Sequence, residues 1–444
     1  MDRYSFIKKQ DKEIYSAIIR EKKRQEEGLE LIPSENIVSH AVSEAMGSIL
    51  TNKYSEGYPH ARYYEGNQVI DEVEDIARDR AKKLFKVPHA NVQPYSGSPA
   101  NLAVYLATCS PGDTIMGLLL TSGGHLTHGS KASATSMFYK SVQYGVTSDG
   151  YLDLKEIARL ARAHKPKLIW VGITAYAREV PFKAFGRIAD KVGAYLVADI
   201  AHIAGLVVSG AHPSPVPYVH IVTTTTHKTL RGPRGGMIMV TKKGLAKDSD
   251  LAGKIDRAIF PNLQGGPHDH TTAAIAVALK EAATSQFRAY GKQIVKNAKA
   301  LAKALMDRGI DLVTNGTDNH MMLMKCGTGR GAIVAIALDA IGLTTNKNTI
   351  PNEPSSPFYP SGIRLGTPSI TTRRMKEKEM KLIGNYIADA MEIVKNVDLP
   401  AEKSVRKAFL AKCRKQFAKD INLAKIRKEV RALCKKFPIP RKFL

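Results

Sequence analysis

The chain has 444 residues, 43% of them hydrophobic and 7% aromatic, enough apolar side chains for two or more packed domains and too many for a disordered polymer. No run of about 18 uncharged apolar residues exists to span a membrane, the opening MDRYSFIKKQDKEIYSAIIR has no apolar signal core, and Cys109, Cys326, Cys413 and Cys434 are too scattered for a disulfide framework or a zinc site, which suits a reducing cytoplasm. The formal charge of +25 favours contact with phosphates and other anions, and residues 402–444 alone hold 15 Lys and Arg against 3 Asp and Glu.

Residues 11–27 read as a helix, with Ile14, Tyr15, Ile18 and Ile19 on one face, and the chain leaves it through LELIPSEN at Pro33. Ile70, Val73, Ala77, Ala81 and Leu84 mark a second amphipathic helix. Then buried strands are expected at 114–120, 167–173, 194–200, 220–226 and 236–241, with helices such as 153–164 and 186–193 between several of them. Continuous apolar strands alternating with helices indicate an α/β protein with a largely parallel sheet. A long helical stretch over 273–309 leads away from it, followed by a smaller α+β region. In the basic tail, Phe409, Cys413 and Phe417, then Ile426, Val430 and Cys434, recur every four residues. That apolar stripe favours a solvated helix face over a polyanion-binding arm.

Lys228 follows the strand HIVTTTT and runs into the cationic, glycine-containing loop TLRGPRGG. Ligands of open α/β sheets gather at carboxyl ends of strands, and a lysine there can form a Schiff base. A cofactor with an aldehyde and a phosphate suits it, as pyridoxal 5′-phosphate does; that cofactor also needs a carboxylate for its ring nitrogen and a phosphate cradle. Asp199 ends an apolar run in AYLVADIAHIAGL, although it equally reads as a helix N-cap. Ser96, Gly97 and Ser98 precede a helix expected to have Pro99 at its first position, an anion site or simply a capped helix. His125 can stack on a flat ring; His128 reads as a satisfied loop residue. His268 and His270 lack a third clustered metal ligand, so no metal is expected.

ELIPSEN, LTNKYSEGYPHARYYEGN, NVQPYSGSPAN, GGHLTHG, ADIAHIAGL, VTTTTHKTLRGPRGG, FPNLQGGP, TNKNTIPNEP and SGIRLGTPSIT occur in that order. On these segments the chain resembles the serine hydroxymethyltransferases, fold-type I pyridoxal-phosphate enzymes, over nearly its whole length. The resemblance implies a large domain (51–280) with a mostly parallel seven-stranded sheet, an N-terminal arm (1–50) and a small C-terminal domain (281–444). It implies transfer of the serine hydroxymethyl group to tetrahydrofolate, giving glycine and methylene-tetrahydrofolate. Lys228 would anchor the cofactor, Asp199 pair with its ring nitrogen and His125 stack on the ring. His202 and Thr174 would meet the ring oxygen or the substrate, and Ser96, Gly97, Ser98 and His227 the phosphate, with Thr225 and Arg234 supporting. Arg364, aided by Ser34, would clamp the amino-acid carboxylate. Glu56 would serve as the acid–base group, with Tyr54 and Tyr64 lining the site. Leu120, Gly124, Leu126 and Asn348 would touch the pterin. A homodimer is implied, with Tyr54, Glu56, Tyr64, Gly265 and Gly266 reaching the neighbour's site; dimer against tetramer stays open. Pro33, His60, Ala61, Tyr95, Pro99, Ala177 and Pro181 differ from the family's usual residues. A folate-independent aldolase-type lyase and a polyanion-binding protein on the same scaffold are the alternatives.

Overall fold

The computed structural model describes residues 4–440. Seven strands form the central sheet: β1 (His89–Asn91), β2 (Thr114–Leu118), β3 (Lys140–Tyr144), β4 (Leu168–Gly172), β5 (Tyr195–Asp199), β6 (Ile221–Thr225) and β7 (Gly236–Val240). Their spatial order is β1-β7-β6-β5-β4-β2-β3. All neighbours pair in parallel except β7, which is antiparallel to β1 and β6. Strands β2, β4, β5 and β7 are largely apolar without alternation because both faces are covered. In β4, Ile169 and Val171 enter the core on one face while Leu168 and Trp170 enter the core on the other.

Two strands lie outside the five read from apolar runs. β1 is only three residues long, and β3 is an edge strand whose side chains are mostly half-buried or exposed. The helical stretch expected over 273–309 is two helices, Asp269–Ala282 and Ser285–Asp307. Thr284 separates them: it is extended, and its side chain accepts from the Phe287 N–H, starting a new helix. Another correction concerns Pro99. The helix begins at Gly97 with Ser96 as its N-cap, so Pro99 is its third residue. It is tolerated there because first-turn N–H groups have no intrahelical partner.

A second core gathers around a three-stranded antiparallel sheet, β8 (Met321–Lys325), β9 (Asn346–Asn348) and β10 (Gly362–Gly366), in the order β8-β10-β9. Leu29 and Leu31 of the N-terminal segment join this core, and Leu29–Glu30 pairs with Leu343–Thr344. The basic tail forms helices Arg406–Phe417 and Ile421–Lys436, whose stripe of Cys413, Phe417, Ile426, Val430 and Cys434 is buried there. Buried Arg373 ties both ends of the chain together, donating to the carbonyls of Gly28 (2.6 Å), Phe437 (2.8 Å) and Cys434 (3.1 Å). Among the described residues, no helix is long and apolar enough to cross a membrane.

Candidate active site

The carboxyl ends of β2, β4, β5 and β6 converge, and each delivers one group. Asp199 is the last residue of β5 and is buried. Its Oδ2 accepts from Asn101 Nδ2 (2.9 Å) and the His128 ring at Nε2 (3.1 Å), and its Oδ1 from the Ala201 N–H (3.0 Å). Burial alone raises a carboxyl pKa, but the hydrogen bond and charge of His128, with His125 and Asn101, outweigh it and hold Asp199 well below the usual carboxylate range. The N-cap reading covers only the Ala201 contact. His128, read as a loop residue from sequence, is buried, stacks on Trp170 (4.9 Å, 10°) and orients the carboxylate.

Lys228 lies just beyond β6, half-buried. Burial lowers its amine pKa to about 8; Asp199 opposes this, while Arg364 and Arg234 add to it. Its backbone carbonyl accepts from Asn36 Nδ2 (3.0 Å), which also donates to Tyr290 (2.9 Å). His125 enters from the loop after β2, where its Nδ1 contacts Thr127 Oγ1 (2.7 Å). Burial pushes its pKa to about 4, so it is neutral and flat. Gly124 beside it has no alternative: a Cβ there would lie 1.9 Å from the Leu118 carbonyl oxygen.

Arg364, on β10, closes the site from the second core. Its Nε donates to Asn346 Oδ1 (3.1 Å) and its Nη1 to the Thr174 carbonyl. Among the described residues no carboxylate pairs with it, and burial lowers its pKa to about 10. A guanidinium held this way is a socket for a carboxylate. Pro33 packs on Gly366 of the same strand, which places Ser34 nearby. The Thr174 hydroxyl is occupied by the Gly123 and Gly124 carbonyls (3.2 and 2.9 Å), so its visible work is to hold the His125 loop and, through its carbonyl, Arg364.

An anion cradle adjoins Lys228. The Ser96 side chain makes no capping bond, and the helix from Gly97 starts beside the end of β6. Gly97 is in such close approach that a Cβ would lie 2.8 Å from Thr225 Cγ2. Thr225 Oγ1 and His227 Nδ1 are buried polar atoms without a hydrogen-bond partner among the described residues. Arg234 Nη1 lies 3.4 Å from His227 Nε2, and burial first, then Arg234 and Lys228, lowers the His227 pKa to about 3. Orphaned donors and acceptors beside a helix N-terminus are what a bound phosphate would satisfy. The residues present therefore fit a pyridoxal phosphate. His125, His128 and Asp199 could also surround a cation, with ligand atoms within 4.8 Å of one another. The Thr127, His128 and Asn101 contacts already engage those atoms. His268 stacks on Tyr95 (4.1 Å) and on His270 (5.9 Å).

A second group stands apart. Glu56 Oε2 accepts from Tyr64 (2.9 Å) and its Oε1 from Tyr54 (3.4 Å). Gly265 and Gly266 pack against Glu56 and Tyr54. Tyr95, one of the departures, donates to the Gly266 carbonyl (2.7 Å) and so holds that loop. No described hydrogen bond or ion pair joins this group to Lys228, Asp199 or Arg364. Leu120 and Leu126 are exposed apolar side chains near the His125 loop, and the segment carrying Asn348 reaches it through Thr349 Oγ1 donating to the Thr121 carbonyl (3.0 Å).

Comparison with known proteins agrees with this geometry. The family model described as serine hydroxymethyltransferase matches residues 7–387. A serine hydroxymethyltransferase of Sorangium cellulosum is 54% identical over 434 residues, covering 97% of this chain and 95% of the relative. One from Acidothermus cellulolyticus is 53% identical, covering 97% and 96%. Another, from Desulfotalea psychrophila, is 51% identical over 443 residues, covering 99% and 97%. With family-wide similarity and a lysine, a carboxylate and an arginine converging at the strand ends, the chain belongs to the serine hydroxymethyltransferase family.

Proposed function

We propose that the convergent residues carry a pyridoxal-phosphate-dependent transfer of the serine hydroxymethyl group to tetrahydrofolate. The observation that carries this reading is Arg364, half-buried without an acidic partner among the described residues, over the same site as Lys228 and Asp199. When bound, pyridoxal 5′-phosphate supplies an aldehyde and an electron-withdrawing ring. Lys228 anchors it, and an amine pKa near 8 leaves part of the lysine unprotonated and nucleophilic at neutral pH. Asp199, kept ionised, holds a proton on the ring nitrogen, while His125 stacks on the ring. Ser96, Gly97, Ser98 and His227 bind the phosphate, with Thr225 and Arg234 in support. Arg364 and Ser34 orient the serine carboxylate, and His202 meets the ring oxygen or the substrate.

Glu56 moves the proton near the hydroxymethyl carbon, its carboxylate oriented by Tyr64 and Tyr54. Leu120, Gly124, Leu126 and Asn348 bind the pterin. That no described hydrogen bond or ion pair joins the Glu56 group to Lys228, Asp199 or Arg364 fits a homodimer in which Tyr54, Glu56, Tyr64, Gly265 and Gly266 complete the partner's site. We place the enzyme in the cytoplasm, in keeping with its four free cysteines. Borohydride reduction of the holoenzyme followed by peptide mapping tests the anchor. The label is expected on Lys228, and a label on any other lysine overturns the assignment.

A further inference from the structure

His202 lies three residues past Asp199, and His320 lies one residue before β8, in the second core. Both rings are buried, His202 2% and His320 0% exposed. They meet nitrogen to nitrogen: His202 Nδ1 is 3.3 Å from His320 Nε2, with ring centres 5.5 Å apart and planes 29° apart. That is the only hydrogen bond described for either ring. His320 Nδ1 is fully buried and has no hydrogen-bond partner among the described residues. The neighbours fix His320 in place. Asn319 Nδ2 donates to the Tyr176 carbonyl (3.0 Å) and the His320 carbonyl accepts from the Thr367 N–H (3.1 Å).

Neither ring can afford a charge here. Burial first, then the cations Lys228 and Arg364, hold both pKa values well below the ordinary histidine value. Each neutral ring carries one proton, and the shared contact needs one donor and one acceptor. Two arrangements satisfy it. If His202 donates from Nδ1, His320 must carry its own proton on Nδ1, leaving a buried N–H with no acceptor. If His320 donates from Nε2, its orphan atom is a bare lone pair. Orphaned buried N–H groups are the rarer case, and the nearby charges are the cations Lys228 and Arg364, which disfavour an N–H and favour a lone pair.

We infer that His320 is a positioning residue that donates to His202 Nδ1 and thereby fixes His202 as the tautomer with its proton on Nε2. His202 then meets the bound cofactor or substrate as a hydrogen-bond donor, matched to an oxygen bearing negative charge, and has no lone pair there to act as a base. The inference deepens the role proposed for His202. It also ties the small-domain core to that role, since the second core supplies the donor.

The test is nitrogen-15 NMR of the holoenzyme labelled at histidine, with the His202 signals identified by their loss in His202→Asn. In the wild type, His202 is expected to show a protonated Nε2 and a bare, hydrogen-bonded Nδ1. His320→Leu removes the donor, so the Nδ1 signal should move downfield toward that of a free lone pair, with kcat/KM for serine falling on the order of tenfold for one lost hydrogen bond. His320→Gln, which can place an amide N–H where Nε2 stood, should restore the Nδ1 shift and most of the rate. A His202 proton on Nδ1 in the wild type overturns the inference, as does an unmoved Nδ1 signal in His320→Leu. The tautomer is read from the ring itself, so this result and the borohydride label on Lys228 fail independently.

Discussion

Arg62 is the residue whose loss should damage the Glu56 half of the site most sharply. Its side chain is 3% exposed, and its guanidinium pairs with Asp71 through Nε (2.8 Å) and with Glu74 through Nη2 (2.8 Å). Nη1 donates to the carbonyls of Ser55 (2.9 Å) and Gly57 (3.0 Å), the two residues flanking Glu56. Glu74 is equally buried, with Gln93 Nε2 its only other described partner (3.0 Å). Arg62→Ala would leave that carboxylate buried beside a neutral amide, and removing one partner of a buried pair costs about 3–5 kcal/mol. Arg62→Met with Glu74→Gln removes the stranded charge as well, so most of the loss should return. Urea unfolding of the holoenzyme at one fixed protein concentration measures both. Serine turnover with tetrahydrofolate should fall in Arg62→Ala, while borohydride still labels Lys228. A stability loss in Arg62→Ala below about 1 kcal/mol, the range of an exposed ion pair, would refute the reasoning.

The remaining predictions concern the other half of the site, the tail and pH. Arg364→Lys should weaken serine binding by about 2–5 kcal/mol, because a point charge cannot reproduce the bidentate fork; normal serine affinity would place the carboxylate elsewhere. Glu56→Gln should abolish the folate-dependent serine reaction yet keep the cofactor on Lys228, and wild-type turnover would remove Glu56 from its role. Reversing the exposed charges Lys407, Lys415, Lys428 and Lys435 should leave turnover unchanged. Any RNA retained by the wild type at low salt should be lost log-linearly as salt rises, and retention that persists near physiological salt would make the tail more than a solvated face. His220 is held at about 4 by burial, then by Lys243 and Lys247, against 6.5 when unexposed to these effects. The unfolded chain therefore binds the extra proton, and stability is lost as pH falls from about 6.5 to about 4. His220→Asn keeps an acceptor for the Leu196 N–H and should lower the proton uptake on unfolding by about one near pH 5; an unchanged uptake would contradict the assignment.

What could be read in advance depended on range. Asp199 was legible because it ends an apolar run, and Lys228 because it follows a β-branched run into a cationic, glycine-containing loop; each pattern already places it at a strand terminus. The role of His128 was not, since its partner Asp199 lies 71 residues away and only the β2–β4 and β4–β5 pairings bring them together. His320 offered no local signal either, as its meaning rests on a nitrogen 118 residues distant. The stripe from Phe409 to Cys434 gave the buried face of the tail correctly, because helical periodicity is local. The antiparallel sense of β7 was hidden, because an apolar run carries no direction. The break at Thr284 did have a signal, a threonine followed by Ser285 that caps the next helix, but the apolar periodicity on either side masked it. Pro99 misled in register only: proline marks the first turn of a helix, and here it occupies the third position rather than the first.

The most direct measurement is the absorbance spectrum of the purified protein loaded with pyridoxal 5′-phosphate, before and after adding glycine and tetrahydrofolate together. The account predicts a visible band from cofactor bound to Lys228 that is absent in Lys228→Ala, and a new band at longer wavelength that requires both additions. A protein that takes up no cofactor, or a spectrum that tetrahydrofolate leaves unchanged, would contradict it.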